Sequence, residues 1–206
     1  MISMKTHSLL NSGHNEIEVK FYPVDIDAIR KKLTECGATC THPMRLMRRV
    51  VFNQDENPHL DVSYIRVRDE GNCVRVSTKE YADATKGIEY QRELDIIVNN
   101  FERAIALFEI AGLKRSHYQE SKREQWKLGE SEVCIDVWPH LTPYIEIESP
   151  SDEALRKAAS TLGLRWEDHI NAGALRIYMR EYGWEKSEAK QYVKRLLFDE
   201  PLQKEH

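Results

Sequence analysis

The chain has 206 residues, of which 41% are hydrophobic and 31% charged, and this balance excludes a disordered chain. A protein of this length buries roughly 70% of its unfolded surface, so one main domain is expected. The formal net charge of −4 excludes a global attraction to nucleic acid or an acidic membrane, so any anion site must be a local concentration of base.

No apolar run approaches the ~20 residues of a membrane span, and Met1 to Asn15 carries no sustained hydrophobic stretch, so a cytoplasmic address is expected. Cys36, Cys40, Cys73 and Cys134 match no Cys-x-x-Cys box and read as reduced, mostly packed thiols. Cys36, Cys40 and His42 straddle a helix end and a turn, which favours packing over a metal site. The histidines form no His-Glu-x-x-His pattern.

The first element is Glu16-Ile17-Glu18-Val19-Lys20-Phe21. Its period-two alternation predicts a half-buried strand with Glu16, Glu18 and Lys20 on one face. Pro23 ends it, and Asp25 or Asp27 can cap a helix with Ile26, Ile29, Leu33 and Cys36 on its apolar side and Gly37 at its end. A strand follows from Leu46 to Phe52, then a loop from Asn53 to Pro58. Ser63–Arg68 and Cys73–Lys79 read as a hairpin about Asp69-Glu70-Gly71-Asn72. Parity puts Arg66 and Arg68 on one face of the first arm and Arg75, Ser77 and Lys79 together on the second. Of Arg48 and Arg49, only one can share the basic face.

A polar connection from Tyr81 to Gly87 leads to a strand from Ile88 to about Val98, which carries Glu93. Asn99 or Asn100 can cap a helix with Phe101, Ile105, Leu107, Phe108 and Ala111 as its apolar side. Strands are then expected over His117–Leu128, Val133–Trp138 and Tyr144–Glu148, followed by a Ser151-capped helix from Asp152 to Leu162. Helices at about Ala172–Glu181 and Lys186–Leu197, and a tail from Asp199, complete the chain.

About eight strands, nearly all antiparallel by connection length, with helices between them, predict an α+β fold. Closing the sheet into a barrel would remove its edges and turn the charged face into a lumen. Inward alternation would place Glu16, Glu18, Lys20, Arg66, Arg68, Arg75, Lys79, Glu93, Arg123, Asp136, Glu146 and Glu148 there. So many buried charges need partners, because each unpaired ion costs several kcal/mol. Clustered carboxylates suit Mg²⁺ or Mn²⁺, and Arg and Lys rows suit phosphate oxygens. A polyphosphate with a divalent metal satisfies both. A glycosidase needs two carboxylates but not this many bases. A nucleic-acid groove would show interleaved aromatics and an overall basic chain.

In order, Glu16-x-Glu18-x-Lys20, Arg66-Val67-Arg68, Thr78-Lys79, Arg92-Glu93, Arg123 with Trp126, Ile135-Asp136 and Glu146-Ile147-Glu148 resemble the CYTH superfamily, the triphosphate tunnel metalloenzymes. The likeness spans about residues 14–180, within a domain expected over 14–182, with 183–206 as a C-terminal helical extension and tail. It implies a closed antiparallel tunnel barrel of about eight strands, with Glu16, Glu18, Asp136, Glu146 and Glu148 toward metal. Lys20, Arg66, Arg68, Lys79 and Arg123 would act on phosphate oxygens, with Arg75 beside them and Glu93 in a less defined role. Ser121 stands where many members carry lysine, and Lys122 points to the other face. Asn53 stands where relatives often have an acid.

The resemblance implies metal-dependent hydrolysis of tripolyphosphate, thiamine triphosphate or a nucleoside triphosphate. A class IV adenylyl cyclase and a non-catalytic polyphosphate binder are the alternatives. A triphosphate-containing small molecule is the expected partner, with no nucleic acid and no membrane. The C-terminal helices leave open a lid, a homodimer contact or plain packing.

Overall fold

The computed structural model describes residues 17–60, 62–82 and 90–204, with the side chains of 79–82 and 90–93 left aside. Glu16 therefore lies outside the described residues, and so do the side chains of Lys79 and Glu93. The strands are β1 (Ile17–Phe21), β2 (Thr39–Asn53), β3 (Tyr64–Asp69), β4 (Val74–Ala82), β5 (Tyr90–Val98), β6 (His117–Leu128), β7 (Ser131–Val137), β8 (Tyr144–Ser149) and β9 (Arg195–Leu196). The helices are α1 (Ile26–Glu35), α2 (Phe101–Ile110), α3 (Asp152–Thr161), α4 (Ala174–Tyr182) and α5 (Lys186–Tyr192). A 3-10 turn spans Trp166–Asp168.

This is the expected α+β architecture, an antiparallel sheet with helices. Its hydrogen-bonded order is β1-β8-β7-β6-β2-β3-β4-β5, with β9 on β6. Among the described residues no ladder joins β5 back to β1.

The chain divides into two compact units, one of Glu16–Leu46 and Glu120–His206, the other containing Met47–Gln119. In the first, β1, β8 and β7 pair in a register that sets Val19, Ile147 and Val133 in one row and Phe21, Ile145 and Ile135 in another. These rows are buried, and α3 packs against the three strands, burying Leu155, Ala158 and Ala159. Ile147 has no exposed surface, so Ile147→Ala would cost about 2–5 kcal/mol. A second apolar cluster joins Trp138, Leu141, Tyr144, Ile177, Tyr178, Val193 and Leu196, with Trp184 packed on it. The C-terminal helices thus pack on this part of the sheet through Ile177, Tyr178 and Val193. In the other unit, Val50, Phe52 and Val67 of β2 and β3 bury Phe101 and Ile105 of α2.

The helices begin where the sequence supplies a cap. Asp25, rather than Asp27, accepts from the Ala28 amide at 3.0 Å, and Asn100, rather than Asn99, accepts from the Arg103 amide at 2.8 Å. Ser151 accepts from the Ala154 amide at 3.2 Å. Three boundaries differ from expectation by more than two residues. The fourth strand runs on to Ala82, and the rest of the connection expected from Tyr81 to Gly87 lies outside the described residues. The second strand starts at Thr39; β2 lies beside β6, and the Thr41 hydroxyl donates to the Gln125 carbonyl at 3.2 Å. The last helix ends at Tyr192, and Arg195–Leu196 pair with β6 instead. The four cysteines are free, with Cys134 buried and Cys40 exposed.

Candidate functional site

Antiparallel residues directly opposite one another share a face, and their Cα atoms lie about 4.5–5.5 Å apart. In the first unit this places three side chains in one row, because Glu18 faces Glu148 and Glu148 faces Glu132. The next row sets Lys20 opposite Glu146, Glu146 opposite Cys134, and Cys134 opposite Gln125. The third sets Tyr144 opposite Asp136 and Asp136 opposite Arg123. The other face of the same strands is the apolar one that α3 covers.

The rows are joined by ion pairs. Lys20 Nζ donates to Glu18 Oε1 at 2.9 Å and lies 2.8 Å from Glu146 Oε2. Arg123 Nη2 reaches the other oxygen of Glu146, Oε1, at 3.2 Å. Arg123 also forks onto Asp136, with Nε to Oδ1 at 2.8 Å and Nη2 to Oδ2 at 2.7 Å. Five candidate residues thus form one alternating chain, Glu18, Lys20, Glu146, Arg123 and Asp136.

Burial decides the electrostatics. Lys20 is 4% exposed and Asp136 1%. Burial disfavours the ammonium of Lys20, but the carboxylates of Glu146 and Glu18 outweigh it and hold the pKa above the ordinary lysine range. Burial likewise opposes the charge of Arg123, and Asp136 chiefly restores it. For Asp136 burial outweighs the pull of Arg123 and raises the carboxyl. Burial pushes the Cys134 thiol well up, and its Sγ lies 3.4 Å from Glu132 Oε1, so it sits here as a thiol donor rather than a nucleophile.

The other unit carries the basic face. Arg66, 9% exposed, stands opposite Ser77 and donates from Nε to its hydroxyl at 3.1 Å. Arg68 stands opposite Arg75 on β4 and opposite Arg49 on β2. Arg49 is therefore the member of the Arg48–Arg49 pair that shares this face, and its Nε donates to Gln119 at 2.7 Å. Arg48 turns away to Asp69 at 2.8 Å and lies over the Phe101 ring. Lys79 and Glu93 stand opposite one another in the β4–β5 register.

Three residues of these faces lie outside the strands expected from alternation. Glu132 completes the acidic row only through the β7–β8 register. Arg45 reaches Gln125 from β2. Glu70 sits in a turn, where parity has no meaning, and binds both Arg68 and Arg75. Its Glu-Gly context reads simply as turn chemistry.

Among the described residues no three His, Cys, Asp or Glu side chains are gathered closely enough to hold a metal as they stand. The donor chemistry nevertheless fits a hard divalent cation. Glu18, Glu148 and Glu146 offer carboxylate oxygens from paired strands, and a row of like charges wants a counter-cation. No described helix is long and apolar enough to cross a membrane.

The CYTH domain model matches residues 14–173. The chain belongs to the CYTH family. No curated protein matches it. Among solved structures, the CYTH chain is similar to the PH1012 protein of Pyrococcus horikoshii OT3, with 25% identity and a TM-score of 0.65 over 79% of this chain and 98% of that one. An adenylate cyclase candidate from Vibrio parahaemolyticus superposes with a TM-score of 0.67 at 14% identity, covering 81% of this chain and 99% of that one. A Hippeastrum adenylyl cyclase candidate with a dominant triphosphatase activity superposes at 0.52 and 12% identity, over 82% and 96%. At such identities the last two speak for the CYTH fold alone.

Proposed function

We propose that this CYTH protein hydrolyses a triphosphate with the help of Mg²⁺ or Mn²⁺. The observation that carries the reading is the alternating ion chain from Glu18 through Lys20, Glu146 and Arg123 to Asp136. A purely structural network would gain as much from apolar residues of equal size, since burying ion pairs roughly breaks even.

Glu18, Glu146 and Glu148 would hold the metal, with Glu16 and Asp136 completing the set that the family resemblance implies. When bound, the metal neutralises phosphate oxygens and lowers the pKa of a water. Lys20, held charged by its two acids, and Arg123, oriented by the fork onto Asp136, offer N–H groups to phosphate oxygens. By the family resemblance Arg66, Arg68 and Lys79 belong to the same chemistry, with Arg75 beside Arg68 and Glu93 in a less defined role. Such groups stabilise the charge that spreads over the oxygens as the terminal phosphoryl leaves. Water attacks the terminal phosphorus, the anhydride P–O bond breaks, and orthophosphate departs from the shortened chain.

Hydrolysis is favoured over cyclisation because it asks less: water is always available, whereas cyclisation also needs a pocket for the base. The Hippeastrum neighbour's dominant triphosphatase activity is in line with this. The test is product identification from tripolyphosphate, thiamine triphosphate and ATP with Mg²⁺ or Mn²⁺. Orthophosphate from at least one of them is expected. Cyclic AMP with pyrophosphate from ATP would assign a cyclase, and tight binding without turnover a polyphosphate-binding protein.

A further inference from the structure

Arg68 and Arg75 stand directly opposite one another across β3 and β4. Two guanidinium groups at that spacing repel, and each long side chain has several rotamers to lose. The turn between the strands supplies what holds them. Gly71 takes a φ of +84°, a conformation natural to glycine, and the Glu70 amide donates to the Cys73 carbonyl at 2.8 Å. The turn thereby fixes the Glu70 backbone, and the Glu70 side chain is 9% exposed.

One oxygen of that carboxylate serves both arginines. Glu70 Oε1 accepts from Arg68 Nε at 2.9 Å, from Arg68 Nη2 at 2.5 Å and from Arg75 Nε at 3.1 Å. The Cys73 thiol lies 3.6 Å from Oε2, and Arg75 Nη1 is bound by Asp95. From this geometry we infer that Glu70 is a positioning residue, which holds Arg68 and Arg75 as a preformed pair for the oxygens of a triphosphate chain. The inference rests on the triphosphate reading. Burial opposes the charge of Glu70, but Arg68 and Arg75 outweigh it and bring the carboxyl to about 2, so the clamp is ionised throughout the working pH range.

Charge alone argues the reverse. Removing an acid beside two arginines raises the local positive potential and would tighten an anion. Preorganisation predicts loosening, because two rotamer-rich side chains must then be ordered on binding. The sign of the effect separates the two.

The experiment measures tripolyphosphate binding by calorimetry in EDTA, and KM and kcat with Mn²⁺, for the full chain, Glu70→Ala and Glu70→Gln, with thermal unfolding of each. Glu70→Ala should weaken binding and raise KM about tenfold, with kcat held within about twofold. Glu70→Gln, which keeps an acceptor of the same length, should lose about threefold and serves as the readout if the alanine variant does not fold. Unchanged or tighter binding by the folded variants, with the wild type still turning over, overturns the inference and leaves the triphosphate reading intact. A wild type that neither binds nor hydrolyses any of tripolyphosphate, thiamine triphosphate and ATP overturns both.

Discussion

Lys20 and Glu146 face each other across β1 and β8, and the lysine ammonium lies 2.8 Å from one carboxylate oxygen. Its other contact, Glu18 at 2.9 Å, comes from its own strand. One buried cation thus joins two acids that arrive from opposite ends of the chain. Lys20→Met would leave both carboxylates without their shared counter-charge, at a cost of about 3–5 kcal/mol. For a chain of this length the expected fall in Tm is on the order of 10 °C. Thermal unfolding checks this, and a fall of less than about 2 °C would mean that the acids find other cations.

Arg123 and Asp136 lend themselves to a double-mutant cycle. Asp136 is 1% exposed and accepts both bonds of the Arg123 fork. Arg123→Met alone is expected to cost about 3–5 kcal/mol, because it strands a buried acid. Adding Asp136→Asn should recover at least about 1 kcal/mol, a coupling that urea unfolding of the four proteins measures. Arg123→Lys should not rescue the fork, since a point charge cannot make two parallel bonds.

Glu70 sets an acid limb of stability. Its carboxyl is depressed to about 2 from an ordinary 4.5, so the stabilisation is complete above the unfolded value and is lost as pH falls through about 4 toward 2. The shift corresponds to at most about 3 kcal/mol. Unfolding free energy measured against pH should fall over that window in the wild type. In Glu70→Gln the curve should be flatter by this amount.

Lys122 provides the contrast. It lies on the opposite face from Arg123, exposed, with its ammonium 4.6 Å from the centre of the Phe198 ring. Lys122→Ala should lower stability by no more than about 1 kcal/mol. Its turnover should match that of the wild type, and a large loss in a phosphate-release assay would place this face in the chemistry.

These cases show where the sequence was legible. Alternation identified the charged faces of β1, β3, β4, β7 and β8, because side-chain period along a strand is fixed by the pleat and needs no tertiary knowledge. It also showed that only one of Arg48 and Arg49 could face the bases. Which one awaited the pairing of Arg49 with Arg68, since parity within a strand does not name its buried side. Register likewise placed Glu132 beside Glu148, a relation no local pattern contains. Glu70 was hidden for a different reason: in a turn, side-chain direction follows φ and ψ rather than alternation. The edges of β2 and the last helix shifted because pairing with distant strands overrode local propensity.

In the proposed mechanism the acids of β1 and β8 hold a metal that triphosphate hydrolysis requires. Orthophosphate release from tripolyphosphate, titrated with Mn²⁺ or Mg²⁺ in the wild type and in Glu148→Gln, tests it most directly. Turnover should be absent in EDTA and saturable in metal, and the variant should need on the order of 100-fold more metal or lose activity altogether. Full turnover in EDTA, or an unchanged metal titration in Glu148→Gln, would contradict it.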